Sequence, residues 1–290
     1  MVMRVYEKDN NLILENVYDF DICQTFECGQ CFRWEKADKG YIGVAFSRVL
    51  HIVQDGETVI LYNTSMSDWE NIWHDYFDFG RDYSSIKKEL SKDDVMKKAI
   101  AFGGGIHILN QEPFECLISF IISASNNIPR IKKIIDTLCR NFGESIEYCG
   151  RTYYTFPSSE VIASLTLEDI GIIKAGFRDK YIINAAKCIA SGITDLECLK
   201  NASYDYAKTE PLKLSGVGKK VCECVLLFSL GKTSGFPVDV WIKRIMEYCY
   251  FSEEQTNDAI ARYASEKFSN LGGFAQQYLF YWARENKIGI

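Results

Sequence analysis

Positive charge is in short supply: 33 lysines and arginines stand against 39 aspartates and glutamates, a formal net charge of −6 over 290 residues. That deficit argues against a chain that coats nucleic acid with its whole surface, because a polyanion needs a basic face, but it leaves room for a local patch. Lys213, Lys219, Lys220, Lys232, Lys243 and Arg244 gather in one part of the chain, and Arg130, Lys132 and Lys133 form another knot. Proline is scarce, with 5 in all, and the 20 glycines fall in no low-complexity tract, which argues against disorder; no repeat of fixed period stands out. No run reaches the roughly 18 uninterrupted apolar residues of a membrane span. The opening "MVMRVYEKDNN" has no secretory apolar core. The chain is therefore expected to stay inside the cell, in the cytoplasm or nucleoid if the source is bacterial, and away from membranes.

A second half-site for metal is also missing. Cys28 and Cys31 make a lone C-x-x-C with Cys23 nearby, but no further C-x-x-C or H-x-x-x-H completes a four-ligand zinc site. The 11 cysteines are scattered through a long chain without an export signal, so reduced, mostly buried thiols are expected. What the sequence has in plenty is core material: 47% hydrophobic and 14% aromatic residues, enough for one large domain or two to three smaller ones.

Residues 1 to 64 carry short β-rich runs, "NLILENV", "QCFRWEK", "GYIGVAF", "VLHIVQ" and "TVILYN", parted by turn signals such as "ADKG" and "DGE". From Asp68 the apolar period becomes helical in "SDWENIWHDYF" and "KDDVMKKAIAF" and stays so to the end. The expected fold class is α+β: an N-terminal antiparallel sheet domain, 1–104, then a mostly helical two-part body, 105–290, divided at the "GGG" of 103–105. Helices are expected over 113–124, 129–141, 179–190, 203–213, 219–230, 239–249, 253–268 and 274–285, with a small hairpin at "IEYCGRTYYTF".

The segments 203–213 and 219–230 are joined by "LSGVG", which leaves space only for a tight helix–hairpin–helix turn. Gly216 and Gly218 supply backbone freedom, and the exposed amides and dipole of the second helix start make a phosphate seat with Val217 between them. The string lacks the G-x-x-x-x-G-K-[ST] spacing of a nucleotide P-loop. A plain turn with solvated lysines is the alternative.

Asp239, in "GFPVDVW", opens a later helix. The helix after the hairpin carries the chain about 18 Å away at 1.5 Å per residue. The connection 231–238 can span about 26 Å when extended, so Asp239 can return to Lys220. A lysine and an aspartate at two facing helix starts, beside a phosphate seat, point to covalent amine catalysis on a sugar, with burial and a cationic neighbour such as Lys219 favouring loss of the proton from Lys220. Lys219 itself, about 100° around the helix from Lys220, is read as a wet or phosphate-facing charge. Asp239 as a simple helix cap is compatible with either reading.

This pairing resembles the helix-hairpin-helix DNA glycosylase superfamily. The strings "EPFECLISFIISASNNIPRIKKIIDTLCRNFG", "GQCFRW", "AGFRDKYI" and "GGFAQQYLFY" are similar, in family order and over most of the chain, to those of its 8-oxoguanine DNA glycosylases. The resemblance implies a base-flipping repair enzyme, a monomer without cofactor, that acts on double-stranded DNA containing 8-oxoguanine opposite cytosine. It implies Lys220 as the Schiff-base nucleophile, Asp239 as the catalytic carboxylate, and strand nicking by β-elimination. Cys224, Gln276 and Phe280 correspond to the base pocket, and Gly29 to the residue whose carbonyl reads the hydrogen on the seven-position nitrogen of the oxidised base. Phe177 would wedge beside the opposite base, with Asn127, Arg130 and Arg178 at the gap. Local spacing agrees in part: Cys224 lies one turn beyond Lys220, and Gln276 and Phe280 share a helix face.

The sequence departs from the family at Ser125, Trp241 and Ser215, where an asparagine, a phosphate-contacting histidine and a proline are usual. Endonuclease III-like relatives close with an iron–sulfur cluster of four cysteines, whereas the last cysteine here is Cys249. The 3-methyladenine glycosylase II group lacks the hairpin lysine. A non-catalytic hairpin adaptor, or a glycosylase of the superfamily for another damaged base, remain the competing readings.

Overall fold

The computed structural model describes residues 2–251 and 253–289. The front of the molecule is one antiparallel sheet of six strands, β1 Arg4–Lys8, β2 Asn11–Glu15, β3 Trp34–Lys36, β4 Tyr41–Ala45, β5 Arg48–Asp55 and β6 Thr58–Tyr62, in the order β1-β2-β6-β5-β4-β3. Alternation decides which face is dry: Leu12 and Leu14 of β2, Leu50 and Ile52 of β5, and Val59 and Leu61 of β6 are fully buried, while their neighbours face out. Onto this face pack Phe26, Trp34, Trp69, Trp73, Tyr76 and Phe77, three of them from a helical stretch, Met66–Tyr76, that carries a π turn at Trp69–Trp73.

Two features of the front differ from expectation. β1 buries none of its residues, so it offers no periodic signal; it pairs along its backbone from Arg4 opposite Glu15 to Lys8 opposite Asn11, and the Tyr6 hydroxyl donates to the Glu15 carboxylate at 2.8 Å. Of the expected strand "QCFRWEK" only Trp34–Lys36 is extended. Before it runs a helix, α1 Ile22–Glu27, capped by Asp21, whose carboxylate accepts from the Gln24 amide at 2.8 Å.

The body is helical: α2 Tyr83–Leu90, α3 Asp94–Gly103, α4 Pro113–Ser123, α5 Ile128–Phe142, α6 Asp179–Ala190, α7 Tyr204–Thr209, α8 Lys219–Ser229, α9 Val240–Tyr250, α10 Asn257–Phe268 and α11 Gly272–Asn286, with shorter turns between. α7 is shorter than the expected 203–213, because Pro211 has no amide hydrogen to extend it and opens a 3-10 turn, Pro211–Lys213. α10 starts at Asn257, after 253, because Thr256 caps it by accepting from the Ala259 amide. The expected small hairpin is β7 Ser145–Tyr148 paired with β8 Arg151–Tyr154, turning at Cys149 and Gly150, both with positive φ.

α4 is the axis of this body. Cys116, Leu117, Ile118, Ile121 and Ile122 are all buried, and each large side chain so removed from water contributes about 1.5–3 kcal/mol. Tyr83 and Leu90 of α2 and Met96 and Ala99 of α3 join the same core, as do Cys28 and Phe32 from the front. The residues just after α1 are thus held against the helical body, which positions the cavity described next.

Candidate active site

A cavity of about 370 Å³ opens where the C-terminal end of α4 meets α8, α9, α11 and the segment after α1. Its walls include Lys220, Asp239, Cys224, Gly29, Gln276, Phe280 and Asn127, so the structure brings these sequence-selected residues to one place.

The hairpin makes the first wall. Gly216 has φ +85, and a Cβ there would lie 2.5 Å from Cγ of Tyr181, so only glycine lets the turn pass against α6. Gly218 caps α8 without a side chain, which leaves the first-turn amides open to a ligand. Val217 is buried beneath the turn. Lys220 projects into the cavity, where its Nζ donates to Ser123 Oγ at 3.3 Å and sits 4.8 Å from the centroid of Phe120. One turn on, Cys224 is buried, and burial pushes its thiol up to about 11 while the Lys220 ammonium pulls the other way, so it stands as a neutral thiol. Lys219 turns outward instead and pairs with Asp258 at 2.7 Å, both side chains well exposed. It is thus a solvent-facing charge, as its place around the helix from Lys220 implies, and it is not packed against Lys220 as a cationic neighbour.

Asp239 returns to Lys220 as chain length allowed, because residues 231–238 are anchored on the way: the Lys232 amide donates to Leu226 O, the Gly273 amide donates to Thr233 O, and Phe236 and Val238 are buried. The carboxylate caps α9 by accepting from the Ile242 amide at 2.8 Å. Burial raises its pKa above the ordinary 3.8, and the Ile242 amide and the Lys220 charge oppose that rise. Capping and proximity to Lys220 therefore coexist.

α11 forms the far wall. Phe280 lines the cavity with Gln276, whose Oε1 is buried without a hydrogen-bond partner. Gly29 has φ +81, and a Cβ on it would meet Cε1 of Phe280 at 3.0 Å and Nη1 of Arg284 at 3.4 Å. The C-x-x-C cysteines are buried thiols; Cys28 is pushed up to about 12 by burial, and its sulfur lies 3.0 Å from Gln277 Nε2.

At the cavity mouth Asn127 caps α5, accepting from the Arg130 amide at 3.0 Å, and the Arg130 side chain is exposed. Phe177 is 59% exposed, an apolar ring in water. Arg178 is only 3% exposed. Its guanidinium donates to the carbonyls of Ala175 at 3.0 Å and of Ala124 and Ser125, and lies 4.3 Å from the Phe177 ring. It braces the turn at Ser125, where φ is +50, instead of reaching outward as expected.

Among the residues of the cavity that were not selected as site residues from sequence are Phe120, Ser123, Trp241, Gln277 and Arg284. Phe120 and Ser123 stand three apart on α4, a spacing that places both on one face, but the continuous apolar run of that helix hides which face matters. Trp241 follows Asp239 by two residues and carries Arg244 at 5.5 Å from its ring.

Residues 12–117 match the model of the 8-oxoguanine DNA glycosylase N-terminal domain, and residues 118–270 that of the HhH-GPD superfamily base excision DNA repair proteins. A Clostridium acetobutylicum 8-oxoguanine glycosylase/lyase, solved in complex with double-stranded DNA containing cytosine opposite 8-oxoG, is 44% identical over 98% of this chain and 99% of its own, with a TM-score of 0.96. MBOgg1, solved in complex with a low-affinity DNA ligand, is 47% identical over 99% of this chain and 100% of its own, with a TM-score of 0.97. A probable N-glycosylase/DNA lyase of Methanothermobacter thermautotrophicus is 32% identical, the match spanning 62% of this chain and 64% of that protein. The chain thus spans under two thirds of the length of this curated relative. The two matched models together run through sheet, hairpin and cavity, and the chain belongs to the HhH-GPD superfamily of base excision DNA repair proteins, with the N-terminal domain of the 8-oxoguanine DNA glycosylases.

Proposed function

We infer that the protein is a bifunctional DNA glycosylase and abasic-site lyase that removes 8-oxoguanine from duplex DNA, with cytosine as the opposite base. The observation that carries this reading is the meeting of Lys220 and Asp239 in one cavity with Gly29, Gln276 and Phe280. An amine beside a carboxylate at the floor of a cavity large enough for a flipped nucleotide has the parts that base removal through a Schiff base requires.

The sequence of events follows from those parts. The duplex docks with a phosphate on the open first-turn amides of α8, beside the 216–218 turn. Phe177 fills the gap left in the stack, and Asn127 and Arg130 face the unpaired strand. Arg178 holds the turn beneath them. The extruded base stacks on Phe280, offers its edge to the unpartnered Gln276 Oε1, and presents its seven-position N–H to the Gly29 carbonyl. Lys220 Nζ then forms a bond to the anomeric carbon as the glycosidic bond breaks, and the Asp239 carboxylate stabilises the positive charge that develops on the sugar. The ring bond between that carbon and the sugar oxygen then opens, the oxygen taking up a proton, to leave the imine; the imine acidifies the adjacent carbon, and loss of that proton expels the 3′ phosphate. Asp239 and Lys220 lie on the helical part, and we assign 1–104 and 105–290 as the two domains. A protein of this family acts on DNA and is intracellular.

Incubating the protein with duplexes carrying 8-oxoguanine or guanine opposite cytosine tests the reading. Release of free 8-oxoguanine with a nicked strand, and an untouched guanine duplex, is expected. Equal release from both duplexes, or from neither, refutes it.

A further inference from the structure

We propose that Gln277 and Arg284 are positioning residues that hold the Gly29 carbonyl rigidly against the flipped base; the proposal rests on the reading of Gly29 as the reader of oxidised guanine. α11 carries two stripes. All four of Gln276, Gln277, Phe280 and Arg284 border the cavity, but Gln277 and Arg284, seven residues apart and so nearly in line at 3.6 residues per turn, also reach the end of α1. Gln277 Nε2 donates to the Cys28 carbonyl at 3.4 Å, and Arg284 Nη2 donates to the Glu27 carbonyl. Those two carbonyls end α1 and would otherwise be among the unpaired acceptors of a helix C-terminus. Gln277 is 2% exposed, so this contact lies away from water.

On the other side of Gly29 the chain is fixed as firmly. Gln30 is fully buried; its side chain donates to the carbonyls of Thr25 and His107 and accepts from the Leu109 amide at 2.9 Å, and its own carbonyl accepts from Gln111 at 2.8 Å. Gly29 is therefore a swivel between two clamps. Its space for a side chain is filled by Phe280 and Arg284. Among the described residues nothing donates to the Gly29 carbonyl, which leaves it free for a ligand in the cavity wall.

Rigidity matters because the discrimination is partly repulsive. Oxidised guanine offers a hydrogen at the seven-position nitrogen, and normal guanine offers a lone pair. A carbonyl that cannot turn attracts the first and repels the second. One that can swing aside loses the repulsion, and with it the selectivity.

The test is the ratio of dissociation constants for guanine and 8-oxoguanine duplexes, each opposite cytosine, measured in the Lys220→Gln background so that no chemistry intervenes. Adding Arg284→Met is expected to lower the ratio about tenfold, the scale of one lost charge-assisted hydrogen bond, and Arg284→Lys, which can still donate to Glu27, to restore most of it. Gln277→Met carries the same prediction at about threefold should Arg284→Met fold poorly. A lowered melting temperature with an unchanged ratio in both Met variants overturns the proposal, because the residues would then serve only the fold. A Lys220→Gln parent that does not distinguish the two duplexes overturns the reading of Gly29 itself.

Discussion

Replacing Asp239 with asparagine separates two jobs that one carboxylate performs. The side chain caps α9 through the Ile242 amide, and it lines the cavity beside Lys220. Asparagine caps about as well as aspartate, so Asp239→Asn keeps the cap, whereas Asp239→Ala loses it at about 1 kcal/mol. For a chain of this size that loss lowers Tm by about 2–4 °C. The charge acts in the opposite sense. Because the folded-state pKa of Asp239 lies above 3.8, the folded protein binds its proton more tightly than the unfolded chain, so its contribution to stability falls as pH rises through that raised value. At neutral pH asparagine removes that cost, and Asp239→Asn is expected to melt no lower than the wild type. Its single-turnover excision of 8-oxoguanine is nevertheless expected to fall about 10²–10³-fold, the usual loss when one preorganised electrostatic group is removed from a transition state. The wild-type rate should likewise fall as pH drops through the raised pKa of Asp239. An Asp239→Asn protein that excises within about threefold of wild type would refute the assignment of charge stabilisation to this carboxylate.

Gly216→Ala should destabilise the hairpin, since a Cβ at φ +85 must displace the Tyr181 ring; a fall in Tm together with weaker binding of abasic duplex is expected, and wild-type binding would exclude the turn as the phosphate seat. Binding of Lys220→Gln to 8-oxoguanine duplex should weaken with salt despite the net charge of −6, with a log–log slope of about −0.9 per phosphate contacted. A flat salt titration would contradict a local basic patch.

The parts of the site that sequence revealed are those built from local rules. The hairpin glycines, the cap at Asp239 and the i,i+4 pair Gln276 and Phe280 are written in neighbouring residues, and the length of 231–238 bounded where Asp239 could go. The strands with alternating burial, such as β2 and β6, were legible for the same reason. β1 was not, because an edge strand with no buried residue carries no pattern. Nor were the contacts from Gln277 to Cys28 and from Arg284 to Glu27, which close separations of 249 and 257 residues. Buried polar groups such as Gln30 and Arg178 read as surface residues until their carbonyl partners are known. The outward direction of Lys219 follows from its step around the helix, but its partner Asp258, on α10, is connected to the hairpin by no local rule.

Borohydride trapping on a duplex with 8-oxoguanine opposite cytosine tests the central claim most directly, because reduction fixes the imine only where the amine has attacked. A covalent protein–DNA adduct is expected for the wild type and for Lys219→Gln, and none for Lys220→Gln. An undiminished adduct in Lys220→Gln would contradict the assignment of Lys220 as the nucleophile.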